Sequence, residues 1–333
     1  MTKATSRRDV IKGSLALMGL GALGVPEWAF PALAQGDALV PFTDVPDGFG
    51  QRRPGSLTRV YDIRNIDGRY TPKDEFYAVQ HFDQPDVDPA TFRLNVSGLV
   101  DRPGQLTLDD LRGMAGAEVD AGYECSGNSR RVIQGLASNG RWTGVPLRVY
   151  ALNGEPLTRE QGAPLRLVVP GWYGVSNVKW LVHIRAQAER FLGKWQARWY
   201  RTLWAEEIGG ETVWHETEIT RQRVKSVIAR VTSAGDRHIV LGFVLHDGTP
   251  LRSVEVRVDD GPWQPATLDQ STQGQYSWKL FRYAWNGATP GEHTLVSRAT
   301  DVNGHVQPTS EELAIKQTGL EDNSQFPRTV MVA

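Results

Sequence analysis

The chain has 333 residues with 37 basic and 38 acidic side chains, a net charge of -1 and 40% hydrophobic residues, including 11 Trp. Near-neutrality argues against nucleic acid, which calls for a basic footprint. The length suggests two domains after a leader, with enough apolar material for a sizeable core.

Ser6-Arg7-Arg8-Asp9-Val10-Ile11-Lys12 reads as a twin-arginine motif. A mild apolar segment follows from Gly13 to Val25, and Ala32-Leu33-Ala34 forms a small-residue cleavage site before Gln35. The apolar run is too short and too glycine-rich for a stable membrane anchor. Residues 1–34 are therefore expected to be an export signal that carries an already folded protein to the periplasm. Residues 35–55 are rich in Pro and Gly and are expected to wrap the surface as an irregular arm. Phe92, Leu94 and Val96 alternate with polar residues and predict a strand. Asp101-Arg102-Pro103-Gly104 is a turn, and Thr107 is placed to cap a short helix.

Tyr123-Glu124-Cys125-Ser126-Gly127-Asn128-Ser129-Arg130-Arg131 contains the only cysteine of the chain. Cys125 can form no internal disulfide, and no second thiol exists for a zinc or iron–sulfur site. It is either a small buried hydrophobe or a thiolate ligand for a soft metal. The turn-forming neighbours are poor core material, and Arg130 and Arg131 are expected to lower the thiol pKa and attract anions. Leu165 to Val169 is a short apolar strand leading into Pro170-Gly171. From about Val224 the pattern turns to short alternating strands, such as Val254, Val256 and Val258, punctuated by Asp247-Gly248, Asp260-Gly261 and Asn303-Gly304. That rhythm predicts a β-sandwich of immunoglobulin type.

Cys125-Ser126-Gly127-Asn128-Ser129-Arg130-Arg131 resembles the Cys-Ala-Gly-Asn-Arg-Arg loop of the sulfite oxidase family of molybdopterin enzymes. Val169-Pro170-Gly171-Trp172-Tyr173-Gly174-Val175-Ser176-Asn177-Val178-Lys179-Trp180-Leu181 is similar to that family's V-P-G-W-x-G-x-x-x-V-K-W-L signature, and Arg298 to Pro308 gives a third similarity in the same order. The resemblance covers most of the chain after about residue 55. It implies an α+β sulfite-oxidase-type molybdopterin-binding domain over 35–220, followed by an all-β immunoglobulin-like dimerisation domain over 221–333.

The resemblance also implies roles. Cys125 would be the one protein ligand of molybdenum. Gln80, His81, Arg166, Asn177, Val178 and Lys179 would contact the pterin and its phosphate. Arg130 would line the substrate funnel, Trp142 would wall the pocket, and Arg328 would turn back to the site. Tyr200, which ends Trp195-Gln196-Ala197-Arg198-Trp199-Tyr200, would donate a hydrogen bond to a ligand of the metal; the alternative is plain aromatic packing with Trp195, Trp199 and Trp204. Two departures stand out. Val79-Gln80-His81 replaces an Arg-Asn-His pattern and removes a substrate-facing arginine. Only Arg148 to Leu152 bridge Leu147 and Asn153, where relatives carry a few dozen more residues.

What the resemblance implies is a periplasmic molybdenum-cofactor oxidoreductase that oxidises sulfite or a related small sulfur-containing anion by oxygen-atom transfer. Electrons would pass to a separate c-type cytochrome, because no Cys-x-x-Cys-His motif for haem occurs in this chain. The alternatives are an S-oxide or N-oxide reductase of the same fold, or a degenerate relative without catalysis.

Overall fold

A computed structural model describes residues 37–52, 54–146, 148–269 and 274–333. The expected export signal, residues 1–34, lies outside the described residues. The fold is built almost wholly of antiparallel sheet. Among the described residues the α component of the expected α+β domain is one helix, Leu108–Gly113. It starts where the sequence predicts: the Thr107 hydroxyl accepts from the Asp110 N–H, and the Asp110 carboxylate accepts from the Thr107 N–H, a reciprocal cap.

The sheet that carries the site begins with Ala117–Glu124, which pairs with Ala137–Val145 from Ala117↔Gly144 to Glu124↔Ala137. Arg148–Leu152 then pairs back on Ala137–Val145, and Arg166–Leu167 joins its other edge. Val145 pairs with Arg148, so the segment that reads as shortened is itself a strand of the sheet, paired with one register shift between Thr143 and Gly144. A smaller sheet sets Leu94–Gly98 between Gly104–Leu106 and a parallel neighbour, His183–Ala186.

The second half forms two antiparallel sheets. One orders Ala38–Val40, Lys225–Ala234, Arg237–Leu245, Lys279–Trp285 and Thr267–Leu268; the other orders Gln264–Pro265, Leu251–Val258, Gly291–Asp301 and Arg328–Val332. Their inward residues share one core that includes Val231, Val244, Val254, Val256, Phe281 and Leu295. The alternation of Val254 and Val256 with Glu255 and Arg257 thus marks a face, as period-two patterning requires. The N-terminal arm is not irregular throughout. Ala38–Val40 adds an edge strand to the second half through Ala38↔Ser233, and Phe42 bridges to Val330.

The two halves are stitched together beside the site. Gly122 N–H donates to the Tyr276 carbonyl at 2.8 Å, and the Asn139 amide donates to the Ser277 hydroxyl at 2.9 Å. Gly171 has φ +78, and a Cβ there would lie 2.4 Å from the Asp247 carbonyl oxygen. Only glycine lets the Pro170 turn pack this closely on the second half.

Candidate active site

Cys125 is the first residue after the strand Ala117–Glu124, in the connection to Ala137–Val145. The loop is braced from within. The Asn128 amide donates to the Glu124 carboxylate and to the Gln134 carbonyl, both at 3.1 Å, and its oxygen accepts from the Leu136 N–H at 3.0 Å. Ile133 and Gln134 are held at positive φ, 46 and 58, which turns the chain back toward the return strand. Beneath the loop the fully buried Lys225 ammonium meets the Glu124 carboxylate at 2.7 Å. Cys125 faces a cavity of about 420 Å³. Burial pushes its thiol up, against a lowering backbone hydrogen bond from Gly127. The expected lowering by Arg130 and Arg131 is corrected: both side chains are exposed, away from the thiol.

Two cations line the same cavity from the Arg166–Lys179 stretch. Arg166 is buried and donates to the carbonyls of Gln161 at 3.1 Å and Asn177 at 3.3 Å, while its Nε has no partner. Lys179 donates to the Val79 carbonyl at 3.3 Å. Burial, with Arg166 adding repulsion, brings the Lys179 ammonium down to about 7. A buried guanidinium beside a half-buried ammonium, neither in an ion pair among the described residues, calls for an anion. The Gln80 amide donates to the Glu160 carbonyl at 3.1 Å, leaving its own buried oxygen unpartnered, and the buried Tyr123 hydroxyl is unpartnered too. Asn177 spends its side chain on the turn: its oxygen accepts from Val169 N–H at 2.7 Å and its amide donates to the Tyr173 carbonyl at 3.1 Å. Val178 is half exposed at the rim of the cavity. Among the described residues no group of three or more His, Cys, Asp and Glu comes together to hold a metal, so a metal at Cys125 would bring its further ligands with it. A cysteine sulfur, Arg166 with Lys179, and orphaned polar atoms together suit an anionic, sulfur-rich cofactor.

The third wall is aromatic. His81 stacks on Trp195 with centroids 3.9 Å apart and an interplanar angle of 12°, and its Nε2 lies 2.7 Å from the Tyr200 hydroxyl. Burial pushes the Tyr200 phenol up to about 12, with Cys125 adding to the rise, and lowers the His81 pKa. Tyr200 follows a one-turn π-helix, Trp195–Trp199, a rare conformation that re-aims side chains at functional sites. Tyr77 is partly buried in the same cavity lining as Cys125, and a Cβ on Gly174 would stand 3.0 Å from its hydroxyl. Gly174 therefore gives the phenol its room.

The oxidoreductase molybdopterin binding domain family matches this chain in two pieces, residues 81–149 and 147–195, which meet at the shortened segment. Human mitochondrial sulfite oxidase is 28% identical over 316 residues, covering 72% of this chain and 57% of that protein. Arabidopsis thaliana sulfite oxidase is 24% identical over 341 residues, covering 76% and 86%. Residues 81–195 thus carry an oxidoreductase molybdopterin binding domain, and the chain is similar to sulfite oxidases over most of its length. The crystal structure of the sulfane dehydrogenase SoxCD from Paracoccus pantotrophus has the same fold, with a TM-score of 0.71 at 21% identity, covering 87% of this chain and 90% of that one. The chain spans 57% of the length of human sulfite oxidase and 39% of barley nitrate reductase.

Within this family frame, Gln80, His81, Cys125, Arg166, Asn177, Val178, Lys179 and Tyr200 come together around one cavity. Three expected residues do not. Arg328 is fully buried in the strand Arg328–Val332, where Nε pairs with Asp44 at 2.8 Å and Nη1 donates to the Ile228 carbonyl at 3.1 Å; it anchors the N-terminal arm instead of the site. Arg130 is exposed in a 3₁₀ turn with its guanidinium 5.3 Å from the Phe326 ring centre, outside the cavity lining. Trp142 is core: fully buried, edge-on to Phe76, with Arg166 4.9 Å above its ring. It supports the arginine from behind. Sequence reading missed Tyr77 and Trp195 as lining residues and Lys225 as the partner of Glu124. Tyr77 falls in Phe76-Tyr77-Ala78-Val79-Gln80-His81, four residues before His81, which was the available signal.

Proposed function

We propose that this chain is a periplasmic molybdenum-cofactor oxidoreductase that oxidises sulfite or a related small sulfur-containing anion. In this reading it is exported folded by the twin-arginine route, passes electrons to a separate c-type cytochrome, and dimerises through an immunoglobulin-like C-terminal half. The observation that carries it is Cys125 facing one cavity with buried Arg166 and half-buried Lys179, neither of which has an ion pair among the described residues. Cys125 would ligate the metal, while Arg166, Lys179 and Gln80 would hold the pterin and its phosphate. When bound, the cofactor supplies two-electron, oxygen-atom-transfer chemistry. Oxidation of sulfite to sulfate consumes one water and releases two protons. Tyr200 stays neutral across the physiological range and can hold one proton against the His81 nitrogen, from which the partly exposed imidazole hands it to solvent. The aromatic wall of His81, Trp195 and Tyr77 keeps bulk water from the reacting sulfur.

A second reading, reduction of an S-oxide or N-oxide, draws on the same cavity. Arg130 and Arg328 lie elsewhere and Val79 stands in the lining, so the substrate side is more aromatic than cationic. The deciding experiment is metal and pterin analysis of the exported protein, followed by turnover with sulfite and a dye, against turnover with S-oxides and a reduced dye. Molybdenum with sulfite-dependent dye reduction supports the first reading. S-oxide turnover alone favours the second, and a metal-free protein removes both.

A further inference from the structure

The strand Arg201–Ile208 leaves the cavity wall directly after Tyr200 and pairs with Glu211–Glu218 over eight positions, from Arg201↔Glu218 to Ile208↔Glu211. This two-stranded sheet has no third strand, and every residue of Glu211–Glu218 is exposed. A lone hairpin is marginal in water, so its base must be held. Trp204 bridges to Lys316, Gln317 N–H donates to the Leu203 carbonyl at 3.0 Å, and Arg223 lies 4.4 Å from the Trp204 ring centre. Nothing comparable holds the distal half among the described residues, yet that half shows Ile208 at 51%, Trp214 at 39% and Val213 at 37% exposure.

Its charge is equally uneven. Near the base, Glu216 and Glu218 pair with Arg201 and Arg190. Toward the tip stand Glu206, Glu207 and Glu211. Glu206 meets only His215, at 2.8 Å, and neither Glu207 nor Glu211 has an ion pair among the described residues. The pairing register puts Glu206, Ile208, Glu211 and Val213 on one face of the hairpin, and Glu207 and Trp214 on the other. Exposed Ile208 and Val213 beside Glu206 and Glu211 form an apolar patch with an acidic rim, the anatomy of a docking surface for a basic protein. Eight strand residues reach about 26 Å, roughly the diameter of a small domain. An arm of that reach matches the footprint of a small protein.

We infer that the distal half of the 201–218 hairpin docks a basic electron-accepting protein, with Glu206, Glu207 and Glu211 steering it and Ile208 and Val213 anchoring it. The electron-accepting character of the partner rests on the oxidoreductase reading above; its basic character rests on the hairpin.

The test measures binding of the holoenzyme to a strongly basic c-type cytochrome and to the same cytochrome made acidic by succinylation, at low ionic strength. Wild type should bind the basic form and not the succinylated one. Glu206→Lys/Glu207→Lys/Glu211→Lys should weaken binding at least about tenfold, the corresponding triple Gln variant should fall between, and Ile208→Ser/Val213→Ser should weaken binding without changing its salt dependence. Sulfite-dependent reduction of a small dye should be the same in all variants, which also shows that they fold. Equal binding of wild type and the triple Lys variant overturns the proposal, as does equal binding of the two cytochrome forms. A switch from dimer to monomer in the variants, with cytochrome binding intact, assigns the arm to a second copy instead and also overturns it. Absence of dye reduction in wild type defeats the oxidoreductase reading, while the binding result still decides the docking.

Discussion

Lys225, from the first strand of the second half, reaches Glu124 at 2.7 Å with both side chains buried, one residue before the cysteine of the site. The contact joins residues 101 apart and makes the second half part of the floor of the Cys125 loop. The Asn128 amide shares the same carboxylate oxygen, so one buried charge is tied both to the loop and to the neighbouring domain. Burial pushes the Glu124 carboxyl up while Lys225 opposes the rise.

Removing one member of such a pair leaves a buried charge without its partner. Lys225→Met should therefore cost about 3–5 kcal/mol of stability. Adding Glu124→Gln should recover much of that, because glutamine can still accept from Asn128 and carries no charge. Urea unfolding of the apo-protein checks both. If the single variant is as stable as wild type, the pair is not buried as described.

Cys125→Ala should abolish molybdenum retention, since alanine offers no soft ligand and no other His, Cys, Asp or Glu cluster among the described residues can replace it. Arg166→Gln should lower pterin content, because it removes one of the two cations facing the cavity. Metal and pterin analysis of the purified variants gives the answer. Full occupancy in the alanine variant would show that the cysteine is not the ligand.

The local patterns were readable where a residue's role depends on its neighbours in sequence. The Thr107 cap and the Val254 alternation emerge as read, and Arg166 and Lys179, singled out by resemblance, line one cavity with Cys125. Roles that depend on distant packing were not readable. Arg328 spends its guanidinium on Asp44, 284 residues away, so no local pattern exposes the contact. Arg130 is turned outward by the 3₁₀ turn, whose C-cap Ile133 is left-handed, a backbone choice no residue type in Ser129 to Val132 demands. Trp142 lies within a strand buried at most positions, so its burial by core is a property of the sheet. The N-terminal arm gave no strand signal because Ala38–Val40 gains its hydrogen bonds from a sheet formed two hundred residues later in the chain.

The corrected positions change what substrate kinetics should do. Arg130→Gln should leave KM for sulfite within about twofold of wild type, because the side chain is exposed over Phe326. Val79→Arg should lower KM, since position 79 lines the cavity and a guanidinium there adds a charge-assisted bond of about 1.5–3 kcal/mol to an anion. Arg328→Gln should lower stability and leave KM alone, as its ion pair with Asp44 lies in the second half. Steady-state kinetics at fixed ionic strength separates the three. A tenfold rise in KM for Arg130→Gln would return that arginine to the site.

A pH dependence follows from His246, which is buried between the halves with Nδ1 accepting from the Gly248 N–H at 3.1 Å and Nε2 facing the Ser277 carbonyl at 3.0 Å. This arrangement needs a neutral ring: a proton on Nδ1 would leave the Gly248 N–H facing a donor. Burial, with Lys279 adding repulsion, brings the imidazole down to about 4. The native ring thus stays neutral to about pH 4, whereas an unfolded histidine takes up a proton below about 6.5. The unfolded state then binds more protons, so stability falls with pH through this window and is fully retained above it. Between pH 7 and pH 5 the loss from this one group should be about 2 kcal/mol. His246→Gln keeps a donor for Ser277 and has no proton to gain. Its urea-unfolding free energy should accordingly change less between the two pH values, by about the same 2 kcal/mol relative to wild type. Parallel pH profiles for wild type and variant would mean that the imidazole charges without penalty inside the fold.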